Sequence, residues 1–430
     1  MNKLQLDQNE HAILSSSLLN VPKSATLAIN EISKKLIFEG KDVVRMGLGQ
    51  SPFPVPEAMV ESLRQHADAK DYMAVQGYLP LREAISAFLQ RTENLDYSCD
   101  NIIVGPGSKE LFFGLQMVLD CDLLLPAPSW VSYQPQARLL GRNVHWLPCE
   151  ARNGWKLTPD ALEQHCRQHS SRPQLLVLNS PNNPSGACFT EQELTALASV
   201  ARRYNIIILS DEIYSELHYT GGHLSVARFY PEATIVSNGI SKWAGAGGWR
   251  LGFMAIPDSL PGVLQAMVVV ASETYTSVSA PIQMAAISAF EPSSQMQNYI
   301  LACRKIMRGI GLQFSQRLVQ HEVNIVEPDG GFYILADFTS YREALLQNGI
   351  SQAAELAQQL LDKTGVATLP GSDFGFQREL LLRFAFVDFD GASLLDIALK
   401  DPQLIVDENI TELSRIFSAA DRIGAWLKSL

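Results

Sequence analysis

Between Ser237 and Gly252 the chain reads SNGISKWAGAGGWRLG, which sets one lysine, Lys242, among glycines, aromatics and small residues, with Arg250 close behind it. A lysine buried in such company is penalised for its charge, so its pKa falls and the nucleophilic free amine is favoured. A free amine is what Schiff-base chemistry uses. Gly245, Gly247 and Gly248 carry no Cβ and let backbone pass close to a ligand, while Arg250 offers a planar fork suited to a phosphate. Taken alone, the two cations read equally well as solvated surface groups.

Other reactive side chains stand just after apolar runs. LLVLN is followed by SPNNPSG with Asn182 and Asn183, IIILS by Asp211, Glu212 and Tyr214, and TIVSN leads into Lys242. A carboxylate at the end of an apolar strand is costly to bury alone, so Asp211 calls for a cation or a protonated nitrogen, or else caps the next helix. Glu212 reads as solvated. Tyr214 and Asn183 read singly as hydrogen bonders of the core or of a turn. In VGPGSKELFF, Gly105 and Gly107 turn the chain and a helix opens at about Ser108, whose free N–H groups and hydroxyl suit an anion. Glu110 stands where a dinucleotide fingerprint wants glycine, and G-x-S-x-G is not satisfied. His165 and His169 are spaced to chelate a metal, but histidines near a helix C-terminus commonly serve its dipole, so no metal is assigned.

The elements that must position these groups are short apolar runs alternating with helical stretches from about 100 to 290: NIIV, LLLP, LLVLN, IIILS, TIVSN and RLGFMAI. That alternation predicts an α/β fold with a mostly parallel sheet flanked by helices. Ligands of such sheets bind beyond the carboxyl ends of the strands, where Asn183, Asp211 and Lys242 would meet. ATLAINEISKKLIFEG predicts an amphipathic helix ending near Gly40, and residues 291–320 a long connecting helix. The tail segregates strands from helices, as in a smaller α+β domain. The expected division is 1–50 as an N-terminal arm and helix contributing to the small domain, 51–300 as the large domain and 301–430 as the small one.

The 430 residues are 47% hydrophobic with a net charge of −11, ample for a core and contrary to the basic face that nucleic acid or an anionic membrane needs. Six cysteines without a C-x-x-C pair fit a reducing compartment. With no basic and apolar leader at the N-terminus and no charge-free window of roughly 18 apolar residues, the expectation is a cytoplasmic protein.

Together these residues resemble the fold type I pyridoxal-phosphate enzymes, specifically the class I/II aminotransferases related to aspartate aminotransferase. SKWAGAGGWRLG is similar to that family's lysine motif, NSPNNPSG to its Asn-Pro turn and SDEIYSEL to its Asp-x-x-Tyr segment. LGQSPFPVP, YMAVQGYLPLREAI, VGPGSKELFF, PSWVSY, GGFY, LPGSDFG and LLRFAF extend the match over nearly the whole chain. The resemblance implies that Lys242 holds pyridoxal 5′-phosphate as an internal aldimine and later shuttles the substrate proton. It makes Asp211 the partner of the pyridine nitrogen and gives Asn183 and Tyr214 to the ring oxygen. The phosphate would fall to Gly107, Ser108, Lys109, Ser241, Arg250 and, from a second subunit, Tyr72, with Trp130 stacked on the ring. Arg383 would clamp the substrate α-carboxylate beside Asn183 and Gly49. The implied partners are an amino acid and a 2-oxo acid in a homodimer, with Tyr72 and the segment 275–279 at its interface.

The chain departs from that family in SPFPVP, which lacks the usual acidic residues near the cleft, and in DIALKDPQLIVDENITELSR, where relatives are shorter. Both bear on substrate choice. A β-eliminating lyase on the same scaffold shares every cofactor residue and is the alternative reading. A ligand-sensing regulator would need a DNA-binding module that no stretch before Met46 supplies.

Overall fold

The computed structural model describes Leu18, Val21 and residues 23–169, 171–407 and 409–430. Most of the expected N-terminal arm therefore lies outside the described residues.

Seven strands form the large sheet: β1 (Ile102–Gly105), β2 (Asp122–Ala127), β3 (Val144–Pro148), β4 (Gln174–Asn179), β5 (Ile207–Asp211), β6 (Thr234–Gly239) and β7 (Gly252–Ala255). Their order is β1-β7-β6-β5-β4-β2-β3, parallel throughout except that β7 runs against both of its neighbours. Six of the seven are the apolar runs of the sequence. Such runs are buried on both faces because helices cover both sides, and all the residues of β1, β2, β4, β6 and β7 are buried. The strand missed is β3, whose His145 and Trp146 break the apolar run. An edge strand that is only half-buried tolerates that.

Register matters for the site. Asn179 pairs with Asp211 and Asp211 with Ser237, so β4 and β5 end level and β6 runs on to Gly239. The loops that leave them start from the same edge of the sheet.

A smaller sheet contains β8 (Asn324–Ile325), β9 (Tyr333–Asp337), β10 (Leu369–Pro370) and β11 (Leu381–Ala385), in the order β10-β11-β9-β8 and antiparallel. Val44–Arg45 pairs in parallel with Val366–Ala367, and the Ala385 N–H donates to the Met46 carbonyl, which ties the segment before Gly47 to this sheet. The helix Ser294–Val319 joins the two sheets and buries Cys303, Ile306, Met307, Ile310, Phe314 and Leu318. They recur at spacings of three or four residues along one face of the helix expected over 291–320. The helix Ala25–Phe38 ends just before Gly40, whose φ of +84° only glycine adopts freely. No described helix is long and apolar enough to cross a membrane.

Candidate active site

Lys242 sits in the loop after β6, and its neighbour Trp243 anchors that loop. The Trp243 ring is fully buried, stacked on Phe88 at 6.1 Å and edge-on to Phe290 at 6.0 Å. Removing so large a buried ring would cost about 3–5 kcal/mol, which is a measure of how firmly the lysine is placed. The Lys242 amine donates to the Gly49 carbonyl at 2.7 Å and lies 5.9 Å from the ring centroids of both Tyr214 and Phe332. The residue keeps some exposure, but its amine is enclosed. Burial, helped by the positive charge of Arg383 and opposed by Asp211, pulls its pKa down to about 8.

Asp211 ends β5 and is buried. The Tyr133 hydroxyl donates to its Oδ2 at 2.5 Å, and Oδ1 accepts the Ile213 N–H at 3.3 Å. Burial raises the carboxyl to about 6, with the tyrosine hydrogen bond acting the other way. A protonated nitrogen placed on this carboxylate would supply the cation its position calls for, since its immediate partner here is a neutral phenol. Capping is limited to one turn, because a short 3₁₀ segment, Ser215–Leu217, follows rather than an α-helix.

Glu212 corrects the sequence reading. It was expected in solvent, yet it is 1% exposed, because strand alternation turns it to the side opposite Asp211 and into a polar pocket lined by Ser210, Ser225 and His223.

Arg383 lies in β11, an interior strand, with 0% exposure. Its Nη1 donates to Asn183 Oδ1 at 3.3 Å and its Nη2 to the Gly47 carbonyl, while Nε has no hydrogen-bond partner. The guanidinium lies over Tyr333 at 4.8 Å and Phe374 at 5.3 Å. Tyr333 in turn shares a 2.8 Å hydrogen bond with the Tyr214 hydroxyl, whose pKa burial raises. Gly49 is required here, since a Cβ at that position would fall 1.8 Å from the Tyr333 oxygen. Asn183 is fixed by its N–H, which donates to Asn179 Oδ1 at 2.7 Å. Asn182 instead folds its amide oxygen back onto Ser185 and belongs to the turn.

The segment expected to meet an anion lies at the start of the helix Ser108–Val118. Gly107 has φ +91°, and a Cβ on it would come within 2.4 Å of Arg250 Nη2. A Cβ on Gly252 would come within 2.7 Å of the Ser108 nitrogen. Arg250, itself at φ +56°, donates to the carbonyls of Gly247 at 2.9 Å and Pro106 at 3.0 Å. Lys109 lies 5.2 Å from the Trp130 ring centroid, and Trp130 is edge-on to Tyr133 at 5.3 Å. Burial and the Arg250 charge hold the Lys109 amine below the usual lysine range. Ser241 is half-buried beside Lys242, and Tyr72 is 91% exposed with no role within one chain. His165 and His169 are stacked on one another at 4.7 Å and both meet His145, on strand β3 at the sheet's edge.

Contacts join Lys109 to Trp130, Trp130 to Tyr133 and Tyr133 to Asp211 on one side, and Lys242 to Tyr214, Tyr214 to Tyr333 and Tyr333 to Arg383 on the other, with the Asp211 charge acting on Lys242 between them. The set suits a ligand that is anionic at one end, has a flat ring that accepts hydrogen bonds, and carries an aldehyde within reach of an amine. The unpartnered Arg383 nitrogen is a buried donor left without a partner in the chain. Sequence reading missed Tyr133 and Tyr333. Both stand in quoted motifs, PSWVSY and GGFY, so the signal was present, but the bonds span |i−j| of 78 and 119.

A model of the family described as aminotransferase class I and II matches residues 41–390. The aspartate aminotransferase of Geobacillus stearothermophilus is 32% identical over 385 residues, spanning 86% of this chain and 94% of that protein. That of Bacillus subtilis is 31% identical over 372 residues, spanning 84% and 92%. Among solved structures, the aspartate aminotransferase from Thermus thermophilus with maleate superposes with a TM-score of 0.82 at 28% identity, over 96% of this chain and 99% of that one.

Proposed function

This chain belongs to the class I and II aminotransferases, and from that premise we propose that it moves the amino group of an L-amino acid to a 2-oxo acid in two half-reactions at Lys242. The cofactor in this reading is pyridoxal 5′-phosphate. The observation that carries it is the meeting of an enclosed amine, a buried carboxylate and a buried guanidinium around one cleft with a glycine cradle at its edge.

Pyridoxal phosphate supplies an aldehyde that takes up the amino group and a ring that accepts negative charge from the substrate Cα. Everything else is done by the chain. The Lys242 amine would hold the cofactor and, once free, would be the base that takes the proton from the substrate Cα. A base already in reach pays no cost of encounter. Its depressed pKa keeps a fraction of it neutral near pH 7. Asp211 holds the ring nitrogen in its protonated form, with Tyr133 fixing the carboxylate. Asn183 and Tyr214 would bind the ring oxygen, and Trp130 would lie against the ring. Gly107, Ser108, Lys109, Ser241 and Arg250 bind the phosphate, joined by Tyr72 of a second copy, whose exposed ring supports a homodimer. Arg383 grips the substrate carboxylate through two parallel hydrogen bonds, with Asn183 and Gly49 beside it.

We assign the boundaries 1–50, 51–300 and 301–430 to arm, large domain and small domain, and place the enzyme in the cytoplasm. The test is a half-reaction screen in which each amino acid, aspartate first, is added to the holoenzyme and conversion to the aminated cofactor is followed by absorbance. Reversal by a 2-oxo acid is the expected result. Release of pyruvate and ammonia from cysteine conjugates without any amino transfer would replace this reading with the lyase.

A further inference from the structure

Beneath the strand end that carries Asp211 lies a second group of ionisable side chains that the reaction does not use. His223, Glu212 and Glu93 are all buried. His223 Nε2 stands 3.4 Å from Glu212 Oε2 and 3.9 Å from Glu93 Oε1. The other Glu212 oxygen accepts from Ser210 at 2.7 Å and from Ser225 at 2.5 Å, and the second Glu93 oxygen meets Arg228 at 3.3 Å. Four separate elements converge here: the helix Leu79–Glu93, the end of β5, the loop bearing His223, and the turn Val226–Arg228. Glu216, paired with Arg304 at 3.0 Å, and His218 are the further charged or titratable groups on that side, and the Tyr97 hydroxyl is engaged with the Thr234 carbonyl.

Two consecutive buried carboxylates, Asp211 and Glu212, pose an electrostatic problem. Burial and the neighbouring Glu212 charge both disfavour ionisation of Asp211. A cation on the Glu212 side solves it.

We propose that His223 is a positioning residue for the amino-transfer reaction, standing as a cation between Glu93 and Glu212 so that Glu212 is neutralised and Asp211 is left as the anion facing the ring. The inference rests on the role given to Asp211 above. The carboxylates on either side and Glu216 favour the charged imidazole and outweigh its burial, so His223 titrates above the ordinary histidine range. The same three groups have ligand atoms within 4.8 Å of one another, a spacing a divalent metal also tolerates. The Arg228 cation already beside Glu93 adds positive charge there, which disfavours a further divalent ion and favours a proton.

The test compares His223→Gln, Glu212→Gln and the double variant as holoenzymes, by the pH profile of the amino-acid half-reaction, apparent substrate affinity, metal content and circular dichroism. With Glu212 left uncompensated, His223→Gln should lower the limiting rate about tenfold at pH 7 and move the acid limb up by about one pH unit, with substrate affinity changed less than about threefold. Removing the surplus anion in the double variant should restore the rate to within about threefold of the parent. A merely structural histidine predicts the reverse, a double variant as impaired as the single one or more so. That result, an unmoved acid limb in His223→Gln, or one bound metal ion per chain would overturn the proposal. Should His223→Gln fail to fold, recovery of folded, active double variant upholds it and loss of both overturns it. A parent enzyme that transfers amino groups while its variants behave this way wrongly defeats the inference alone, whereas a parent with no transfer defeats the assignment of the site.

Discussion

Replacing Arg383 by lysine isolates the part of the site that recognises substrate from the part that holds cofactor. The guanidinium is fully buried, with Nη1 on Asn183, Nη2 on the Gly47 carbonyl and its plane against Tyr333 and Phe374. A lysine ammonium keeps the charge but not the two parallel donors, so a bound carboxylate loses one charge-assisted hydrogen bond, about 1.5–3 kcal/mol. At 1.4 kcal/mol per tenfold, apparent affinity for the amino acid should fall about 10- to 150-fold. The assay is rapid mixing of holoenzyme with increasing amino acid, reading the apparent dissociation constant from the half-reaction, with cofactor content measured alongside. Cofactor content should not change, because no cofactor-binding side chain other than Asn183 touches Arg383. A variant that is folded, carries cofactor and binds every amino acid within about twofold of the parent would refute the assignment.

Gly107→Ala must push the Arg250 guanidinium aside and strain a φ of +91°, so titration of the apoenzyme should show cofactor affinity weakened more than about tenfold; unchanged affinity would show that the cradle does not hold the phosphate. Tyr133→Phe deletes the 2.5 Å hydrogen bond that stabilises ionised Asp211, so the acid limb of kcat/KM should move up in pH, and a fixed limb would detach Tyr133 from the reaction. The Lys242 pKa of about 8 lies below the ordinary lysine value, so the unfolded chain binds the proton that the folded chain releases, and this group adds stability as pH rises from about 8 to about 10.4. The same shift makes cofactor uptake by apoenzyme accelerate as pH rises towards about 8 and level off above it; a flat profile between pH 6.5 and 9 would contradict it.

The large sheet was legible because buried parallel strands are continuous apolar runs, and the reactive residues were legible because they directly follow those runs. Lys242, Asp211 and Asn183 needed only the rule that neighbouring strand ends share a crevice, and the pairing of Asn179, Asp211 and Ser237 is the physical form of that rule. Strand β3 was not legible, since an edge strand may be half polar and His145 and Trp146 erase the signal. Glu212 was misread because local sequence gives no sign of the partners that bury it, Glu93, His223 and Ser225, which come from other elements. Arg383 shows the same limit in its contacts: its hydrogen bonds reach |i−j| of 200 and 336, separations at which only the assembled fold decides what a side chain meets.

Reduction of the holoenzyme with borohydride, followed by digestion and mass spectrometry, fixes the cofactor to whichever amine holds it. A single modified peptide with the added mass on Lys242 is the predicted result. The same mass on another lysine, with Lys109 the nearest rival, or on none, would contradict the account.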